Sequence, residues 1–410
     1  MSLPPQATHS TAHWFVVGHE PLLSVAELFA LLRPSGTELL FLPPSVVRVT
    51  APLPWSPREL ARRLGGVVKI GNELAEQLTE DELLILLTEN LKTIGGKIHF
   101  GLSWYDKTEN QTWQKYVERW GKHIKRELKN AGFAARYIYK NTATLSSVTV
   151  TKNALDSKGR EFLIVPKETG FAVAVTEAVQ PFEELSTRDY GRPGRDDKSG
   201  MLPPKLAIML LNLATEQKTD MALLDPFCGS GTILTEALLL GFTHLVGCDV
   251  SDKAIQDSRQ NCKWIQRDKL PDTMTHVTLS QTDVRDLSKK ISLRSVDAIA
   301  TEPFMGPPRR GNETEQELRA TILTLSELYQ SAFSEFKKIL KPGGAVVFIF
   351  PRFLFRNSWI TLSPQLIPVL KKLGFVPERL IPTTLLTEEY ILYHRRGQLV
   401  GREIWKFKLT

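Results

Sequence analysis

Apolar positions recur along this chain at two spacings, every second residue or every third to fourth, and the switches between them predict its elements. Up to about residue 70, His13–Gly18 reads as a strand, and Ser24-Val-Ala-Glu27 has the spacing of a capping box opening an apolar helix through Leu32. Strand-like runs follow at Glu38–Leu42 and Val46–Thr50, and Ser56-Pro57-Arg58-Glu59 starts a second helix with proline at its first position. Short strands alternating with two helices predict a small α+β unit of ferredoxin-like type over 1–70.

The second block, 71–180, opens with Thr79-Glu-Asp-Glu82 capping a leucine-rich helix to about Leu91. A strand is predicted at Lys97–Trp104, and a long helix from Gln111 to Asn130 is ended by Gly132. Further strands are expected at Ala134–Tyr139, Ser147–Thr151, Glu161–Val165 and Phe171–Thr176, the last two joined by a turn at Thr169-Gly170. The third block, 181–410, alternates strand and helix with turn chemistry at the strand ends, the mark of a doubly wound, mostly parallel α/β sheet. Its strands are expected at Ala222–Pro226, His244–Asp249, Val277–Gln281, Ser295–Thr301 and Ala345–Phe350. Glu388–His394, a turn at Arg396-Gly397 and Val400–Leu409 predict a closing antiparallel hairpin instead of another βαβ unit.

Candidate chemistry concentrates in the third block. Asp225-Pro-Phe-Cys-Gly229-Ser-Gly231-Thr232 follows an apolar strand and opens the helix Ile233–Leu240. Glycines there let the backbone turn sharply against a ligand, and a helix start offers free N–H groups. Such a unit serves NAD, FAD, ATP or S-adenosylmethionine. The absence of Gly-Lys-Ser/Thr removes the phosphate-binding loop, and Leu234 in place of the third glycine breaks the dinucleotide pattern. Asp249 ends the next strand and is placed to accept from ribose hydroxyls; Asp283 follows the third and is placed to meet an adenine amino group. Three acids at successive strand ends favour an adenosine cofactor. The fourth strand runs into Glu302-Pro303-Phe304-Met305-Gly306-Pro307-Pro308, a rigid non-helical loop. An acid on it is suited to orient the protons of an exocyclic amine, and the neighbouring aromatic to stack on a base turned out of its helix.

Composition narrows this little. With 410 residues the chain is long enough for two or three domains, and a net charge of +7 is compatible with a polyanionic partner. No apolar run is long enough to span a bilayer and the first residues lack a secretory pattern, so a cytoplasmic location is expected. Three cysteines, Cys228, Cys248 and Cys262, form no CxxC pair, so neither a metal site nor a disulfide framework is expected.

These residues resemble the class I amino-methyltransferases, whose fourth-strand loop reads Asp/Asn-Pro-Pro-Tyr/Phe. More closely, the chain is similar to the tRNA guanine-N2-methyltransferases that carry a ferredoxin-like piece and a THUMP domain, the archaeal and eukaryotic members of which methylate guanosine 10. The match rests on Arg188-Asp-Tyr-Gly-Arg192-Pro193-Gly-Arg-Asp-Asp-Lys-Ser-Gly200-Met-Leu-Pro203-Pro204-Lys205-Leu206-Ala207 and Leu224–Leu234. The resemblance implies a Rossmann-like methyltransferase domain over 181–410, a THUMP-like RNA-binding domain over 71–180, and S-adenosylmethionine as cofactor. It places the cofactor on Asp225, Phe227, Gly229, Ser230, Gly231, Thr232, Asp249, Val250, Asp283, Val284 and Lys205, and the target base at Glu302, Pro303 and Phe304. Where the family has Thr-Asp-Pro-Pro-Tyr-Gly, this chain has Thr301-Glu302-Pro303-Phe304-Met305-Gly306. Aligned so, Glu302 replaces the catalytic Asp; sliding by one residue puts Thr301 there instead.

The implied partner is tRNA, with room for a small activating subunit, no membrane and no metal. Between Lys97 and Lys140 ten Lys/Arg stand against four Asp/Glu, with nine aromatics among them. On the long helix, Trp113, Tyr116, Val117, Trp120, Ile124 and Leu128 make an apolar face, while Lys115, Arg119, Lys122, Arg126 and Lys129 recur on another. THUMP-like placement favours an RNA-binding role for that basic stripe, since phosphates reward it without base contacts. Rival expectations are methylation of an rRNA guanosine or of adenine N6, and an RNA-binding protein whose altered loop has lost turnover.

Overall fold

The computed structural model describes residues 12–32, 38–42, 45–50, 52–106, 112–195, 201–270, 275–395 and 397–410. Asp196–Gly200 of the 188–207 motif, Gln111 and Arg396 of the expected turn lie outside them. The chain falls into two compact units, one reaching to Val25 and resuming over Leu32–Glu183, the other made of Ala26–Leu31 and Glu184–Thr410.

The first unit is built on one eight-stranded sheet. Its strands are β1 (Ala12–Val17), β2 (Glu38–Leu42), β3 (Val46–Thr50), β4 (Val67–Leu78), β5 (Ile98–Trp104), β6 (Ala135–Ile138), β7 (Arg160–Pro166) and β8 (Phe171–Val179), in the order β2-β3-β1-β4-β8-β7-β5-β6. The boundary expected near residue 70 falls inside β4, which pairs with β1 on one side and β8 on the other. The chain between these strands forms α1 (Pro21–Leu32), whose Ala26–Leu31 are counted with the second unit, and α2 (Pro57–Arg63), α3 (Glu80–Lys92), α4 (Thr112–Asn130) and α5 (Ser147–Lys152).

Local chemistry accounts for most of these starts. Ser56 caps α2 with proline behind it, and Thr79 and Glu82 close a full capping box on α3. Ser24 does not cap α1, which begins at Pro21. Its hydroxyl donates instead to the carbonyls of Glu20 and Gly66. The strand expected at Ser147–Thr151 is helix α5, because Ser146 accepts from the Thr149 N–H and caps a turn that outweighs the β-branched composition. On α4, Val117, Trp120, Ile124 and Leu128 are buried against Phe100, Leu102 and Trp104 of β5, while all five residues of the basic stripe are exposed. Beneath the opposite face of the sheet the carboxylate of Glu161 accepts from Lys69 (2.5 Å), Ser103 (2.5 Å) and Thr176 (2.7 Å), so this buried ion pair leaves no charge uncompensated.

The second unit takes in most of α6 (Phe182–Tyr190). It contains α7 (Pro204–Thr215), β9 (Ala222–Asp225), α8 (Thr232–Leu240), β10 (His244–Asp249), α9 (Asp252–Lys269), β11 (His276–Gln281), a 3-10 helix (Val284–Lys289), β12 (Val296–Thr301), α10 (Glu315–Ile339) and β13 (Leu340–Phe355). It closes with β14 (Ser358–Thr361), α11 (Ser363–Leu373), β15 (Phe375–Glu378), β16 (Ile391–Tyr393) and β17 (Val400–Leu409). The sheet runs β11-β10-β9-β12-β13-β17-β15; the pairs from β11 to β13 are parallel, and β17 is antiparallel to both its neighbours. The chain therefore leaves β9 toward β10 and β11, then returns to lay β12 on the other side. That reversal opens a crevice at the carboxyl ends of β9 and β12. Aromatics from α10 and the sheet, among them Tyr329, Phe333, Phe348, Phe350 and Phe407, fill the core on one face. The expected closing hairpin is present as β16 against β17.

Candidate functional site

Strand ends and the loops leaving them enclose a cavity of about 1030 Å³ in the second unit. The loop after β9 forms its floor. Cys228 donates its N–H to the Cys248 carbonyl (2.9 Å), tying the loop to β10. Gly231 caps α8 at φ +81°, and a Cβ there would lie 2.4 Å from Ser258 Oγ on α9, so conformation and crowding both require glycine. All three cysteines are buried, and burial pushes the Cys228 thiol far up, which keeps it protonated and makes it a packing residue.

The segment before the sheet is clamped onto this loop. Arg192 donates to Thr232 Oγ1 (2.5 Å), and Arg188 pairs with Glu236 (2.7 Å). Asn261 of α9 exchanges two hydrogen bonds with Gly194 and donates to the Ser230 carbonyl, each at 2.8 Å. Asn261 was not picked out from sequence; a polar residue in the middle of a helix carries no local signal of this bond.

The three acids come together, in different states. Asp225 is 2% exposed and accepts from Thr301 Oγ1 (2.6 Å) and the Phe227 N–H (3.2 Å). Burial pushes its pKa up to about 7, against those hydrogen bonds and with help from the nearby Asp249 and Glu302. Asp249 accepts from the Gly229 and Ser251 N–H groups, both at 2.9 Å. Asp283 caps the 3-10 helix and is bound by Arg285, with Nη2 at 2.5 Å, and that hydrogen bonding holds it below the usual carboxylate range.

Phe227, Gly229, Ser230, Thr232, Val250 and Val284 line the cavity beside these acids. Lys205 does not: it is the second residue of α7, its pKa lowered by burial and by Arg395.

The loop after β12 supplies the opposite wall. Glu302, Pro303, Phe304 and Met305 line the cavity, whereas Thr301 is fully buried on Asp225. The register with Glu302 at the acid position is thus the one that faces the cavity. Phe304 is 55% exposed, and the Tyr329 hydroxyl donates to its carbonyl at 2.7 Å. Burial raises the Tyr329 pKa well above its ordinary value, so it remains a donor. The closing hairpin completes the wall with Tyr393, Arg395, Gln398 and Arg402. None of these four was expected from sequence. Arg402 donates from Nε to Glu302 Oε1 at 2.5 Å, across a hundred residues of chain.

The strand order and the antiparallel strand between β13 and β15 define a Rossmann-like methyltransferase fold of class I. Residues 192–358 match the family described as UPF0020, RMKL-like, methyltransferase domain. Among curated relatives, the tRNA (guanine(10)-N2)-dimethyltransferase of Methanothermobacter thermautotrophicus is 32% identical over 163 residues, 39% of this chain and 42% of that one. The protein of the same name from Methanocaldococcus jannaschii is 29% identical over 175 residues, 41% of this chain and 44% of that one. The matched region thus spans less than half the length of either relative. Two solved structures share the fold along most of the chain. TrmN from Thermus thermophilus has a TM-score of 0.55 at 20% identity, covering 97% of this chain and all of that one. A possible methylase from Clostridium difficile 630 has a TM-score of 0.51 at 13% identity, covering 97% of each. Among the described residues no helix is long and apolar enough to cross a membrane, and no group of three acids, histidines or cysteines is placed to hold a metal ion.

Proposed function

We propose that this protein is a cytoplasmic S-adenosylmethionine-dependent methyltransferase acting on the exocyclic N2 amino group of a guanosine in tRNA, position 10 being the site named for its relatives. The observation that carries the reading is the placing of Glu302 on the same cavity wall system as Asp225 and Asp249, at the ends of adjacent parallel strands. The residues fit the cofactor. A buried acid poised near neutrality, beside two further carboxylates, suits a ligand bearing an ammonium and a sulfonium charge. When bound, S-adenosylmethionine supplies an electrophilic methyl group.

The chain's own residues then have distinct tasks. Asp225 would hold the ligand's ammonium, Asp249 its ribose hydroxyls and Asp283 its adenine amino group, with Val250 and Val284 beside the ring. Methyl transfer to the guanine amine would make one N–C bond at the expense of the cofactor's C–S bond and release one amine proton. Glu302 orients that amine and accepts the proton; Phe304, held by Tyr329, stacks on the base. Lys115, Arg119, Lys122, Arg126 and Lys129 on α4 track the RNA backbone, in a THUMP-like region (71–180) that shares its sheet with the ferredoxin-like piece (1–70).

Transfer of labelled methyl from S-adenosylmethionine to total tRNA, followed by nucleoside analysis, tests this directly. N2-methylated guanosine is expected. No transfer, or label found in N6-methyladenosine, overturns the assignment.

A further inference from the structure

Arg402 reaches Glu302 from a strand that three neighbours hold in place. On β17 it stands opposite Pro351 of β13 and Tyr393 of β16, and its guanidinium lies 5.8 Å from the centroid of the Tyr393 ring. The side chains of Arg402 and Glu302 are only 20% and 15% exposed, and what remains open faces the cavity that both line. Their hydrogen bond uses Nε and Oε1. Among the described residues, Oε2 and the two terminal amino groups of Arg402 have no other hydrogen-bond partner.

The other arginines of this wall are differently committed. Arg309 spends its guanidinium on Glu313 and on the carbonyls of Leu354 and Leu399, and Arg395 is hydrogen-bonded to the Tyr393 hydroxyl. Arg402 is therefore the guanidinium that stands beside the acid of the target loop.

We infer that Arg402 is a specificity and positioning residue: with Glu302 it reads the Watson–Crick edge of the target base and selects guanine. The inference rests on the methyltransferase reading above. Guanine presents two adjacent donors, the N2 amine and N1–H, followed by the O6 acceptor. A carboxylate oxygen next to a guanidinium presents acceptor then donor, the complementary order. Adenine and 2-aminopurine lack both N1–H and O6, so either would leave the guanidinium facing no oxygen and set a ring lone pair against the carboxylate. A buried site left unpaired in this way rejects the analogue strongly. The pair also fits the local chemistry: glutamate is one methylene longer than the Asp of related loops, and a fixed guanidinium removes the extra rotamer freedom that would otherwise blur its aim.

The test uses the full chain with tRNA transcripts carrying either guanosine or 2-aminopurine at the methylated position. The wild-type protein is expected to prefer guanosine by at least about tenfold in kcat/KM, the discrimination of one charge-assisted hydrogen bond. In R402Q the guanosine rate should fall about 10- to 100-fold, mainly in kcat, and the preference over 2-aminopurine should collapse toward unity. R402K, which keeps the charge without the planar fork, should lie between, and it carries the comparison if R402Q does not fold. Affinity for S-adenosylhomocysteine by calorimetry should match wild type in both. Equal loss on both transcripts, or none, overturns the inference and leaves the function standing. Wild-type protein that methylates neither transcript removes the function itself.

Discussion

The hydroxyl of Thr301 lies 2.6 Å from Asp225 Oδ1, joining the ends of β12 and β9 across the point where the sheet reverses direction. The bond links the strand that carries the target loop to the acid at the head of the glycine loop. Removing it as Thr301→Val leaves a fully buried carboxylate with one backbone donor. A loss of about 1–3 kcal/mol is expected from the unpaired acid, read as a lower Tm and weaker cofactor binding in calorimetry.

Asp225 also sets a pH dependence. Its pKa is raised to about 7 by burial, from an unfolded value of about 3.9. The folded apoprotein thus holds this proton more tightly than the unfolded chain does. Its stabilising effect is complete below about pH 4 and is lost as pH rises through 7. A cationic ligand prefers the ionised acid, so affinity for S-adenosylmethionine should climb between pH 6 and 8 and then level. Asp225→Asn should flatten that slope; a wild-type affinity independent of pH would refute the assignment.

Glu302→Ala should lower methyl transfer by at least about a hundredfold, the lower range for a general base or orienting acid, with cofactor affinity near wild type. Retained turnover would mean that the loop merely positions the amine.

Phe304 is exposed yet rigidly carried, since Tyr329 fixes its carbonyl. Phe304→Ala should leave stability within about 0.5 kcal/mol of wild type while raising KM for RNA, by the roughly 1–3 kcal/mol of one stacked base. An unchanged KM would assign base stacking to another residue.

On α4, Lys115, Lys122 and Lys129 are exposed along one helix face. Reversing all three to Glu should weaken tRNA binding and flatten its salt dependence by about 0.7–0.9 for each phosphate no longer neutralised. Filter binding across a salt series distinguishes this from a folding defect, and unchanged affinity would end the RNA role of this face.

Much of the second unit was legible because each signal was local. The glycine loop, the acids after β10 and β11, and the proline loop after β12 each announce themselves within a dozen residues, and β10 was drawn residue for residue. What escaped was of two kinds. In Ser147–Thr151 two physical preferences competed, and the cap at Ser146 prevailed over β-branched side chains. Elsewhere the missing information was tertiary. The strand expected over Ala345–Phe350 extends to Leu340 and Phe355 because β12, β14 and β17 pair along it, and no spacing rule announces that. Arg402 reads as one more polar position on an alternating strand until β17 is slotted beside β13.

That placement of β17 has a cost for the fold as a whole. It is hydrogen-bonded along both flanks, to β13 and to β15, so cutting the chain before Val400 would not shorten the sheet from its rim. It would split off β15, bare the long edge of β13 to pairing with other molecules, and remove Arg402 from beside Glu302 at the same stroke. Solubility and selectivity are therefore lodged in one ribbon of ten residues, and a lesion there forfeits both together.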